Sequence, residues 1–192
     1  KTTRYNDGSN ISPWGSSDNS FMEIDDTYGN LYTWHAATDE RGICPVGYTT
    51  PTDEDFKQLE TFLGLDNLIG SELAIDYLGG FRGDDIGSML AGGLELWDIQ
   101  AELINNDNFG ITGFDALPSG YYHIDQGLGY TFEGLSTSFW TSSEYNSNNA
   151  IDRIIAYHSH GIARLSPPKE SGAAIRCVEV VVGCMDSYAD NY

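Results

Sequence analysis

The side chains best suited to chemistry are few and scattered in this 192-residue chain. His158 and His160 stand two apart in AYHSHG, a spacing that puts both imidazoles on one face of a strand and would start a zinc site. No third ligand stands near them. His35 lies in an aromatic stretch and His123 closes YYHI, and both read as structural or surface residues. The GxSxG, HExxH and phosphate-loop patterns are absent, so nothing points to nucleophilic, zinc-protease or nucleotide chemistry. The expectation is a chain that is not an enzyme.

Oxygen ligands are abundant instead. Asp18, Glu23, Asp25 and Asp26 in DNSFMEIDD, and Asp84 and Asp85 in GGFRGDD, offer the hard oxygens that Ca²⁺ collects. Neither stretch has EF-hand spacing, so solvated loops are the plainer reading and Ca²⁺ is a cofactor the composition allows but does not require. The stretch WTSSEYNSNNAID gathers Trp140, Glu144, Tyr145, Asn146, Asn148, Asn149 and Asp152 around one loop. An aromatic face takes the CH face of a sugar, while amides and carboxylates take its hydroxyls, so this is the best local candidate for ligand binding. The competing reading puts Trp140 and Tyr145 in the core and leaves the asparagines to make turns.

Nine Lys and Arg face 29 Asp and Glu, a formal net charge of −20. That sign excludes nucleic acid and anionic membrane surfaces as partners. An acidic coat on a secreted protein is the simple account. No apolar run is long enough for a membrane-spanning helix, so direct membrane insertion is not expected. The chain opens in KTTRYNDG with no signal-peptide pattern, as a mature or trimmed fragment would. Of the few cations, Arg153 and Arg176 are expected to hold structural ion pairs, Arg176 as a bidentate partner of a carboxylate. Three cysteines, Cys44, Cys177 and Cys184, leave one odd thiol: reactive, bridged to another chain, or partnered outside this sequence.

The elements that must position these groups divide the chain. A short strand is expected near Thr2–Tyr5, followed by irregular loops. In PTDEDFKQLETFLG, Thr52 is an N-cap and Asp55 the acidic half of a capping box, with Asp53 and Glu54 at the positive end of the helix. Phe56, Leu59, Phe62 and Leu63 share one face, and Gly64 stops the helix. Residues 66–106 read as further helix broken by GGFRGDD. The second half changes to short β-type runs such as SFWTSSEY, AIDRIIAYHS and AAIRCVEVVV. Helices in the first half and a small twisted antiparallel sheet with long loops in the second make an α+β fold.

Six stretches in order, KTTRYNDGS, YGNLYTWHAA, CPVGYTTPTDEDFKQLETFLG, GFDALPSGYY, FWTSSEY with NNAIDR, and SGAAIRCVEV, resemble the Fibrobacter succinogenes major paralogous domain family of secreted and surface-associated bacterial domains. The chain departs from that pattern around Ser71–Met89, which looks longer than usual. The family is similar to formylglycine-generating-enzyme-like and C-type-lectin-like domains, with Pro51–Asp55 and Gly172–Cys177 as the matching parts. The resemblance implies a C-type-lectin-like fold in which the closing strand returns to the early chain and brings Cys177 to Cys44 as a disulfide. Two buried free thiols are the alternative. The reactive cysteines of the formylglycine-generating enzymes have no counterpart inside this domain, and the Glu-Pro-Asn and Trp-Asn-Asp signatures of calcium lectins are missing.

The ending GCMDSYADNY resembles the opening of a Gly-Cys-x-Asp repeat of secreted proteins, which gives Cys184 a partner beyond Tyr192. The expected organisation is therefore a domain over residues 1–181 and the truncated start of a repeat or linker over 182–192. The expected function is a non-catalytic recognition or adhesion module of a larger bacterial surface or secreted protein, extracellular or at the cell surface, with glycan or surface protein as partner. The alternative is a structural subunit that self-assembles into a surface fibre or layer.

Overall fold

A computed structural model describes residues 2–65, 78–124 and 129–181. Its elements in chain order are β1 (Ser12–Pro13), β2 (Ser20–Asp25), β3 (Gly29–Tyr32), α1 (Trp34–Ala37), β4 (Tyr48–Thr49), α2 (Asp53–Phe62), β5 (Gly79–Arg82), α3 (Ile86–Leu90), 3-10 turns at Leu94–Leu96 and Glu102–Asn105, β6 (Ser119–His123), β7 (Gly129–Glu133), β8 (Ser136–Glu144), β9 (Ala150–Ala156), β10 (Ile162–Leu165) and β11 (Val178–Glu179).

This order corrects the expected fold class. The described chain is mostly β: eleven strands against three short helices, with five strands, β1 to β5, in the half expected to be helical. The strands form three sheets, of order β1-β2-β3, β5-β10-β9-β8-β6-β7 and β11-β4. Neither a small sheet nor a helical first half describes the molecule. Two physical reasons account for the error. Apolar residues three and four apart in GSMLAGGLELWDIQAELI resemble a helical stripe, but the Gly92–Gly93 pair breaks the chain there, with Gly93 in the left-handed region at φ 61°. Only the five-residue α3 and two 3-10 turns form, each anchored by an inward side chain such as Leu90, Trp97 or Leu103. GGFR, read as a helix break, is the edge strand β5, paired with β10. Residues 66–77 of the same reading lie outside the described chain, and the strand expected near Thr2–Tyr5 is a single bridge between Arg4 and Asn10.

Helix α2 follows its sequence signals. The Thr52 hydroxyl accepts from Asp55 N–H while the Asp55 carboxylate accepts from Thr52 N–H, a complete capping box. Phe56 is buried and Leu59 and Leu63 pack beside it, but Phe62, expected on the same face, is 86% exposed. At its end Gly64 has φ 103°, and Leu65 N–H bonds back to Glu60 C=O. The largest core lies between the six-stranded sheet and these helices, joining Phe56, Ile86, Leu90, Trp97 and Leu103 to Phe139, Ile155 and Ile162 of β8, β9 and β10.

The closing segment stitches the sheets together. Gly172 exchanges backbone hydrogen bonds with Tyr122 of β6, Ala173 with Tyr32 of β3, and Ala174 receives a bond from Trp140 of β8. The Trp140 ring fills the space between, fully buried, with its indole N–H on Tyr32 C=O at 2.7 Å. Cys177 then reaches Cys44 in a disulfide spanning 133 positions. No described helix is long and apolar enough to cross a membrane.

Candidate functional site

The loop proposed from sequence is a β-hairpin turn joining β8 to β9. Its asparagines build the turn: Asn146 Oδ1 accepts from the N–H groups of Asn148 and Asn149, and Asn149 Nδ2 donates to Ser166 C=O. Glu144 pairs with Lys169 at 2.9 Å, and Tyr145 projects into solvent. Trp140 and Asp152 are not on this surface. Trp140 is core, and Asp152 is 2% exposed and accepts from Ser138 Oγ at 2.7 Å. Burial holds its carboxyl up at about 6, against the pull of Ser138 and Arg153. The structure thus divides these seven residues between a turn and the interior.

The calcium candidates are placed apart. Asp25 Oδ1 accepts from Thr27 and Tyr28 N–H, closing the β2–β3 turn, with Glu23 and Asp26 on its exposed flank. Asp85 is bracketed by the side-chain amides of Asn106 and Asn108, while Asp84 is exposed. Asp18 lies on the β1–β2 connection, its carbonyl taken by Thr33 Oγ1. Among the described residues no three His, Cys, Asp or Glu side chains converge on one metal position. His158 and His160 fall beyond the end of β9, in a turn. His158 packs on Phe81 and Tyr157, and His160 Nε2 sits 2.9 Å from Glu102 C=O.

Of the two cations singled out from sequence, Arg153 holds the ion pairs expected of it, while Arg176 departs from expectation. Arg153 lies beneath α2, where it pairs with Asp53 at 2.8 Å and with Glu60. The bidentate pair belongs to Arg164, whose Nε and Nη2 meet the two oxygens of Asp53 at 2.9 and 2.8 Å. Arg176 instead donates to the carbonyls of Phe114 and Asp115 and lies over the Phe114 ring at 4.5 Å. Neighbouring Phe114, Phe56, Leu59 and Val178 line an apolar pocket of about 420 Å³.

A larger and more polar cleft, about 590 Å³, opens beside the disulfide between the N-terminal segment, β3 and the closing segment. Tyr5, Tyr28 and Tyr32 give it aromatic walls, and Arg4, Asn6 and Asn30 give it polar groups. Pairing with β2 in the order Phe21↔Tyr32 and Glu23↔Asn30 places Asn30 and Tyr32 two apart on β3, on one face of the strand. Thr2 anchors the wall: its N–H donates to Tyr32 Oη at 3.1 Å and its C=O accepts from both Tyr32 Oη and Asn30 Nδ2. Because Thr2 C=O can only accept, the Asn30 amide orientation is set and its Oδ1 is left over. Asn30 is 5% exposed, and that buried oxygen has no donor among the described residues. Tyr28 is held protonated by burial and by the nearby charges of Glu133 and Asp25, which raise its hydroxyl above the usual range. Arg4, exposed at this cleft, makes no ion pair with a described residue.

Sequence reading passed over this cleft because its residues come from four separated stretches, 2–6, 28–32, 43–45 and 174–177. The available signal was the density of Tyr and Asn in TTRYN and TYGNLY. The profile of the Fibrobacter succinogenes major domain matches residues 1–179. No curated protein matches the chain, and no solved structure does.

Proposed function

The chain belongs to the Fibrobacter succinogenes major domain family, and we propose that it acts as a non-catalytic recognition module of a larger extracellular or cell-surface protein, with a neutral glycan as its ligand. The observation that carries this reading is the cleft beside the disulfide. Tyr28, the one partly exposed ring of the three, can take the apolar face of a sugar ring, while the exposed Arg4 guanidinium and the second N–H of the Asn6 amide, whose first is held by Cys44 C=O, supply donors for hydroxyl oxygens. The unmet Asn30 Oδ1 is a buried acceptor that a sugar hydroxyl satisfies; an apolar ligand would leave it unpaired, at a cost of about 1–3 kcal/mol. Neutral sugars suit the site better than acidic ones, because Glu133 and Asp25 lie close enough to perturb Tyr28. The cleft falls within the size range of about 300–1,000 Å³ usual for small-ligand pockets. The Cys44–Cys177 bridge supports an oxidising, extracytoplasmic setting. In this reading the β8–β9 turn is scaffold, and Ca²⁺ is not required.

The test follows the side-chain amide signals of Asn30 and Asn6 by NMR during titration with neutral oligosaccharides. Selective shifts of these two amides support the reading; shifts elsewhere on the surface, with these unmoved, overturn the site.

A second reading, a self-assembling subunit of a surface fibre or layer, draws on one observation. Around the two-stranded ladder of β4 and β11, Val46, Tyr48, Val180 and Val181 are all exposed, Val46 and Val181 almost fully, on a sheet that among the described residues has no third strand. Light scattering at high concentration separates the two: a monomer counts against the fibre.

A further inference from the structure

A second cleft, of about 370 Å³, lies between the β1–β2 connection and the end of β6. We propose that it binds a primary ammonium group, whether carried by an amino sugar or by a lysine-like side chain. This site is separate from the glycan cleft, and the proposal stands or falls independently of it.

Trp14 and Tyr122 form two walls of the cleft, with ring centroids 4.7 Å apart and planes inclined at 60°. Neither ring is loosely placed. Tyr122 is held by reciprocal backbone bonds with Gly172 at 2.9 and 3.0 Å. Trp14 lies directly over Gly172, where an added Cβ would come 2.9 Å from the indole Cη2, so the seat exists because position 172 has no side chain. A rigid pair of inclined aromatic faces attracts a cation through the negative ring faces. Two carboxylates, Asp18 and Glu170, line the same cleft. Among the described residues neither makes a hydrogen bond or ion pair through its side chain. The basic residue next in sequence, Lys169, turns away to Glu144, the Ser147 carbonyl and the Trp34 ring. Among the described residues no Lys or Arg lines the cleft. Ser16 and Ser17 add hydroxyl oxygens that accept from an ammonium. Aromatic walls, unpaired carboxylates and accepting oxygens are complementary to one kind of group, a small cation with N–H donors. The net charge of −20 draws such ligands toward the surface.

The experiment titrates the full chain at low ionic strength with glucosamine, N-acetylglucosamine and Nα-acetyl-lysine methylamide, reading tryptophan fluorescence and calorimetric heat. Binding by either amine, at least tenfold tighter than N-acetylglucosamine and weakened by salt, upholds the site; which amine binds identifies the source. Trp14→Ala is expected to abolish binding. Because that change also removes packing on Gly172, the double variant Asp18→Asn/Glu170→Gln serves as the second probe, since both carboxylates are exposed and carry no structural bond. It should lower amine affinity at least tenfold with an unchanged melting temperature. No binding by either amine, equal binding of N-acetylglucosamine, or undiminished binding by the double variant overturns the proposal.

Discussion

Arg164 of β10 grips Asp53 of α2 with two parallel bonds, 2.9 and 2.8 Å long, across 111 positions of sequence. Arg153 takes a third contact to the same carboxylate and, with Arg82, holds the fully buried Glu60 one face along the helix. The helix that the capping box starts is thus locked to the sheet by charge as well as by Phe56. Removing one member leaves buried charge without its counter-ion, which is why such networks are costly to break even when they add little over an apolar core.

Asp53→Asn should therefore lower stability by about 3–5 kcal/mol in urea unfolding at pH 7. Against the upward push of burial, the Arg164 and Arg153 guanidiniums hold the Asp53 carboxyl well below the usual range. A depressed folded value means its contribution is present above the unfolded pKa, about 3.9, and lost as pH falls toward the folded one. The unfolding free energy of Asp53→Asn should accordingly depend less on pH below about 4 than that of the wild type.

Asp152 should behave oppositely. Burial raises it to about 6. With a folded value above the unfolded one, the folded state takes up the proton first, so this group's contribution falls as pH rises from about 4 to 6. Two pKa units correspond to about 2–3 kcal/mol. Asp152→Asn should flatten that part of the stability profile, measured by melting temperature against pH, and a variant with the wild-type slope would remove the assignment.

Reduction of the Cys44–Cys177 bridge should cost about 5 kcal/mol, since it closes a loop of 133 positions. The Cys44→Ser/Cys177→Ser variant should reproduce that loss in chemical denaturation. A change under about 1 kcal/mol would mean that native contacts alone close the domain.

Gly87→Ala should destabilise strongly. A Cβ at position 87 would stand 2.1 Å from Gly161 C=O, backbone that cannot turn aside as a flexible side chain would. Overpacking of this kind costs about 1–3 kcal/mol, and α3 must move off the β9–β10 connection to relieve it. Gly15→Ala has open space around it and costs only backbone strain at φ 76°.

What the sequence made legible was local and specific. Thr52, Asp55 and Gly64 mark the start and stop of α2 because capping is decided within one turn. The family pattern carried the Cys44–Cys177 pairing. The fold class was not legible, because β2 and β5 are short strands whose residues, SFMEID and GGFR, do not alternate cleanly. Their identity comes from partners distant in sequence. Arg176 shows the same limit: its cation was evident, but its partners, the Phe114 and Asp115 carbonyls, lie 62 and 61 positions away. The cleft beside the disulfide was hidden for that reason too, since Thr2, Asn30 and Cys177 meet only once the chain has closed.

The most direct test of the central claim is binding of the purified chain to an array of neutral oligosaccharides, wild type beside Tyr28→Ala and Arg4→Ala, both away from the packed interior. The account predicts binding of the wild type to at least one oligosaccharide, with a loss of about tenfold or more in each variant at unchanged melting temperature. An array without signal, or variants that bind as the wild type does, would contradict it.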